Sequence, residues 1–108
     1  MITCFIRYEI DPYGLEAFEQ YARVWGEIIP RCGADLIGYF APHEGSATTA
    51  YGVYNVESLA AYEAYRARLS LDPEGRENYR FAKRERFLLK EDRAFFRLAS
   101  TPVAAVGS

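Results

Sequence analysis

The sequence predicts an α+β fold, a four-stranded antiparallel sheet with both helices on one face, and three observations carry that prediction. Short segments alternate apolar and polar side chains with the period of a strand, and longer ones repeat apolar side chains at helical steps. Their order along the chain is strand, helix, strand, strand, helix, strand, and this βαββαβ order is the ferredoxin-like arrangement. At 108 residues the chain has the length of one domain with one modest core. The domain is expected over residues 1–100, with 101–108 as a frayed C-terminal tail.

The first strand covers Ile2 to Ile10, where Ile2, Cys4, Ile6, Tyr8 and Ile10 alternate with Thr3, Phe5, Arg7 and Glu9. Phe5 among the polar set implies that the second face is partly covered. Asp11-Pro12 reads as an N-cap followed by proline at the first helical position, where its missing N–H costs nothing. Leu15, Phe18, Ala22, Trp25 and Ile29 then repeat at steps of three and four, an amphipathic helix punctuated by Pro30 and Gly33. Ala34 to Ala41 is the second strand, and PHEGSA connects it to a third through Thr49, Tyr51, Val53 and Tyr54, as an antiparallel hairpin.

Asn55 or Ser58 caps the next helix, with Leu59, Tyr62, Tyr65 or Arg66, and Leu69 facing inward. Asp72-Pro73 repeats the cap signal and opens a separate helical segment, PEGRENYRFAKRERFLLKED; Arg76, Arg80, Lys83, Arg84, Arg86 and Lys90 crowd within it, and Arg93 follows directly. RAFFRLA alternates as the last strand. Aromatic side chains on both faces of the first and last strands call for cover on both sides, and a second copy of the sheet supplies it in a two-fold homodimer.

Composition narrows the function classes. Half of the residues are apolar and 16% aromatic, and 13 basic against 15 acidic residues leave a net charge of -2. That balance gives no electrostatic case for nucleic acid or an anionic membrane. No run approaches the roughly 20 apolar residues of a membrane span, and the N-terminal MITCFIRYEI reads as a strand rather than a signal peptide, so a cytoplasmic protein is expected. Cys4 and Cys32 lack metal-ligand spacing and read as buried free thiols, so no metal is expected. There is no phosphate-cradling glycine loop, no G-x-S-x-G elbow and no paired-carboxylate motif, and no cofactor is expected.

DLIGYFAPHEG and YGVYNVESLAAYEAYRARLSLDPEG resemble the NIPSNAP family: a G-Y-F strand runs into a glycine hairpin, then come a strand, a helix opening near a serine, and an L-x-x-D-P junction. The likeness runs from the first strand to about Arg97. It implies the dimeric α+β barrel superfamily, in which two ferredoxin-like sheets close one barrel with the helices outside. Members of the wider superfamily include small monooxygenases, isomerases and haem enzymes with a pocket between sheet and helices. The resemblance supplies no catalytic residue set, and His43 matches no haem-ligand motif.

Two functional hypotheses follow. In the first, the homodimer binds a small hydrophobic or aromatic metabolite between sheet and helices, with cofactor-independent monooxygenase or isomerase chemistry as its enzymatic form. Trp25, Tyr39, Tyr65 and Arg66 line the pocket. Tyr8, Tyr39, Tyr51, Tyr54, Tyr62, Tyr65 and Tyr79, with Trp25, offer apolar bodies with polar tips that line a pocket or simply fill core and dimer interface, and Arg66, at helical spacing from Tyr62 and Leu69, holds an anion or extends along the helix edge. His43, the sole histidine, is the proton donor or acceptor if the hairpin turns it into the pocket, and a solvent-facing turn residue if not. In the second hypothesis the protein is a non-catalytic interaction module whose basic segment, residues 76–93, docks an acidic partner; the plainer alternative for that segment is a solvated helix face.

Overall fold

A computed structural model describes residues 1–102. Four strands and three helices follow in the order β1 (Ile2–Ile10), α1 (Leu15–Arg31), β2 (Asp35–Phe40), β3 (Thr49–Val56), α2 (Leu59–Leu71), α3 (Pro73–Glu85) and β4 (Leu88–Phe96). The strands form one antiparallel sheet in the order β2-β3-β1-β4, the ferredoxin-like topology.

The period-2 pattern of β1 divides the sheet into two faces. Cys4, Ile6, Tyr8 and Ile10 are buried in the core with Phe18, Tyr21, Trp25, Ile28 and Ile29 of α1. Register carries the division across the sheet. Tyr54 opposite Cys4, and Gly52 opposite Ile6, share the buried side, while Tyr51 lies opposite Arg7 on the other. The buried stripe of α1 includes Tyr21 and Ile28, which the sequence periodicity passed over, and leaves Ala22 half-buried.

Two expectations are corrected. Asp11-Pro12 does not cap α1. The Asp11 carboxylate instead accepts from the Tyr13 amide at 2.8 Å in a turn, and the helix begins after Gly14 without a side-chain cap. The turn brings Gly14 so close to Phe87 that a Cβ there would lie 2.6 Å from the Phe87 Cβ. Pro30 stands inside the last turn of α1, and the chain leaves through Gly33 at φ +106°, a conformation that favours glycine. The segment after Asp72 is not one helix either, since α3 ends at Arg86 in the left-handed region and buried Phe87 leads straight into β4. Lys90 therefore belongs to the strand whose start the sequence placed at Arg93.

The remaining cap signals stand. Ser58 accepts from the Ala61 amide at 3.1 Å and starts α2. Asp72 caps α3 by accepting from the Glu74 and Gly75 amides, each at 3.0 Å. Its carboxylate also takes a two-pronged bond from Arg31, at 2.9 and 2.8 Å, which ties the end of α1 to the α2–α3 junction. Within the sequence expected to fray, residues 103–108 lie outside the described residues.

Candidate functional site

The site is a gap between the buried face of the sheet and the three helices. Strand β1 contributes Ile6 and Tyr8, β2 Tyr39 and β3 Tyr54; helix α1 adds Tyr21, Trp25 and Ile29, and α2 adds Tyr65, Arg66 and Leu69. Tyr79 of α3 and Glu91 and Arg93 of β4 complete the lining. Four residues singled out from sequence, Trp25, Tyr39, Tyr65 and Arg66, thus meet in one place. Trp25 and Tyr65 are buried at 2% exposure each, and Tyr39 and Arg66 are half-buried.

Local structure explains the convergence. Tyr39 sits opposite Gly52 across β2–β3, and a Cβ on Gly52 would come within 2.8 Å of the Tyr39 ring, so the missing side chain is what lets the ring lie over the strand. Tyr39 then stacks on Tyr8, with ring centres 6.2 Å apart and hydroxyls 3.5 Å apart. Trp25 meets Tyr21 at 5.7 Å and Tyr79 at 4.9 Å, both edge to face. Asn78, the one buried polar residue among the described residues, donates to the Tyr21 carbonyl at 3.0 Å and fixes α3 against α1.

Burial pushes the phenols of Tyr8, Tyr21, Tyr39, Tyr54, Tyr65 and Tyr79 up from the usual tyrosine value, because an ionised ring would lose its hydration. They are neutral hydroxyls at physiological pH. The same effect raises the Cys4 thiol, and burial with the neighbouring Asp72 carboxylate raises Cys32. Both cysteines are free and buried.

Charge enters the gap from two elements. Arg66 comes from α2, and Arg93 from β4, where the register sets it opposite Ile6 and Glu91 opposite Tyr8, both on the helix side. Arg93 donates to Glu91 at 3.0 Å. Partial burial opposes the charge of Arg93, but Tyr62, Tyr54 and the Glu91 carboxylate outweigh it, and its pKa is raised. Glu91 and Arg93 were not among the sequence candidates. Their signal was the alternation that continues back from Phe95 through Arg93 to Glu91, hidden by reading the residues before Arg93 as helix.

The space left is small. The gap encloses about 20 Å³, room for one water-sized group, because the aromatic side chains fill it themselves. His43 is not part of it: the histidine is exposed on the loop of residues 41–48 between β2 and β3. Tyr51 and Tyr62, both in the sequence-stated aromatic set, also lie outside the lining, Tyr51 on the open face and Tyr62 edge to face with Phe95 at 4.7 Å. On the basic helix, Glu77 holds Arg80 at 3.0 Å and Arg84 at 3.7 Å.

A much larger hollow lies on the open face of the sheet, a groove of about 780 Å³ lined by Phe5, Ile37, Tyr51, Ala94, Phe96 and Leu98 with Thr3, Arg7, Asp92 and Arg97 around them. Phe5 and Phe96 pack edge to face at 5.3 Å while each remains at least 40% exposed. Beside it Arg7, Glu9, Lys90 and Asp92 border a smaller polar depression of about 100 Å³. Among the described residues no group of three or more His, Cys, Asp or Glu side chains is placed to hold a metal, and no helix is long and apolar enough to cross a membrane.

Comparison with protein families matches the NIPSNAP family over residues 3–102. Comparison with curated proteins returned no match. Among solved structures, an Agrobacterium tumefaciens protein is 20% identical with a TM-score of 0.80, covering 92% of this chain and 94% of its own. An uncharacterised NIPSNAP domain protein from Burkholderia xenovorans is 22% identical with a TM-score of 0.75, covering 95% and 100%. A protein described as a putative antibiotic biosynthesis monooxygenase from Nitrosomonas europaea is 9% identical with a TM-score of 0.70, covering 93% and 100%. At such identities these likenesses speak to fold.

Proposed function

The chain belongs to the NIPSNAP family, and from that premise we propose that it is a homodimeric small-molecule-binding protein whose ligand, hydrophobic or aromatic, occupies the gap between helices and sheet. The observation that carries this reading is the meeting of Trp25, Tyr39, Tyr65 and Arg66 in one gap, joined there by Arg93 from the edge strand. A guanidinium at a core's margin ordinarily covers apolar surface with its stem and keeps its head in water. Pockets for organic ligands, in contrast, combine aromatic walls with a few polar groups that fix orientation. The gap is closed to about 20 Å³, so the ligand enters by displacing side chains at its margin, half-buried Arg66 and Tyr79, which is 40% exposed.

The open face has the separate role of pairing two copies. An exposed groove lined by five large apolar side chains is more than a monomer ordinarily leaves to water, and a second sheet laid on it closes the barrel. Chemistry on the bound ligand, of the monooxygenase or isomerase class, is the extension of this reading; the putative monooxygenase of Nitrosomonas europaea shares the fold. The interaction-module reading has less support, since Glu77 already pairs with Arg80 and Arg84.

Trp25 is the sole tryptophan and it lines the gap, so its emission reports occupancy. Titration with a panel of small aromatic fragments is expected to change that emission saturably for some of them, and His43→Ala to leave the affinities unchanged. Saturable binding that leaves Trp25 emission untouched, or no saturable binding from the whole panel, would count against the proposal.

A further inference from the structure

The charges around the gap specify more than a pocket. Three of its lining residues carry formal charges, positive on Arg66 and Arg93 and negative on Glu91, a net +1. Glu91 engages one Nη of Arg93 at 3.0 Å, which leaves the other donors of that fork free to turn inward. Arg66 has no ion-pair or hydrogen-bond partner among the described residues, although it is half-buried. None of its nitrogens is buried without a partner, so its donors face water at the margin of the gap, where an arriving oxyanion can replace that water with charge-assisted hydrogen bonds.

The two cations come from opposite layers, α2 and β4, yet both act on the same rings: after burial, Arg66 and Arg93 are the groups that draw the Tyr79 phenol down. The space between is polar at its edge and lined further in by neutral hydroxyls that can donate. Its volume of about 20 Å³ has room for one water-sized group, such as a single carboxylate oxygen, and is too small for an aromatic ring. We propose that Arg66 and Arg93 together hold the carboxylate of an aromatic or aliphatic monocarboxylate, with a carboxylate oxygen in the gap and the apolar body lying outward against the Tyr79 ring. This rests on the reading of the gap as a ligand site and adds to it the charge and orientation of the ligand.

A matched pair of probes separates the two claims. Calorimetric titration of the full-length protein at pH 7 with 3-phenylpropionate and with 3-phenylpropionamide compares a carboxylate with a neutral isostere of the same body. The carboxylate is expected to bind at least about tenfold more tightly, as two charge-assisted hydrogen-bonding partners imply. Arg66→Gln and Arg93→Gln should each remove most of that preference while leaving amide binding in place. Arg66→Lys, which keeps the charge, should retain part of it and shows that loss in the glutamine variant is not loss of fold. Equal affinity for the two probes, or a preference that survives both glutamine substitutions together, overturns the carboxylate assignment and leaves the ligand site standing. Absence of binding by either probe at millimolar concentration counts against both.

Discussion

A phenol in this gap is held neutral by its surroundings, and that has a consequence at high pH. For Tyr8, Tyr21, Tyr39, Tyr54, Tyr65 and Tyr79 the folded-state pKa lies above the unfolded value of 10.0. Below that pH neither state ionises and stability is unaffected. Above it the unfolded chain gains phenolate first, so the stability these residues share falls as pH rises past 10. Phenolate absorbance and far-UV circular dichroism should therefore change together in one cooperative step. If most of the tyrosines ionised near pH 10 with the circular dichroism unchanged, the rings would not be buried as described. The six tyrosines also show what single residues disclosed beforehand. Tyr8, Tyr39, Tyr54, Tyr65 and Tyr79 were legible because aromatic richness flagged them. Tyr21 was not, because its ring completes the α1 stripe at a position where Ala22 fits the same helical spacing.

At the level of elements, the cap signals were partly legible and their failures share a cause. Ser58 and Asp72 cap the helices that the sequence assigned to them, whereas Asp11 does not, because a close approach of Gly14 to Phe87 forces a turn before α1 can begin. That contact joins residues far apart in sequence, and no local pattern encodes it. Strand β4 was half missed for a related reason. An edge strand carries charges that keep it from pairing with other chains, so Lys90, Glu91 and Asp92 resemble a solvated helix when read alone. The pocket residue Glu91 was lost with it.

The Asp72 junction makes an acid-side prediction at this scale. Hydrogen bonds from Arg31, and then from the Gly75 amide, lower its carboxyl from 3.8 to about 2. A depressed folded-state value means that the stabilisation is complete above the unfolded pKa and disappears as pH falls through the folded one. Wild-type unfolding midpoints should accordingly decline between about pH 4 and pH 2. Asp72→Asn, which keeps an N-capping oxygen but no charge, should begin lower and show a shallower decline in that window. Parallel curves for the two proteins would mean that the Arg31 latch contributes nothing to stability.

For the whole molecule, the sheet's two faces differ: the helix side holds the aromatic gap, and the open side carries the exposed apolar groove on which the proposed second copy would lie. The topology was readable because periodicity and order along the chain are local. The state of the gap was not, since whether aromatic side chains leave room or fill it depends on ring packing across six elements. Sedimentation equilibrium at micromolar concentration should give twice the chain mass. Phe5→Glu combined with Phe96→Glu, which places charge on two side chains already 40% and 54% exposed, should give a folded monomer. A wild-type monomer, or a double variant that still dimerises, would refute the pairing of open faces.

The central claim is where the small molecule goes. The most direct test maps resonance shifts in the isotope-labelled protein on titration with a fragment that binds. The account predicts that the shifts cluster at Trp25, Tyr39, Tyr65, Arg66, Tyr79 and Arg93, with Phe5, Ile37 and Tyr51 unaffected. Shifts confined to those open-face residues would contradict it.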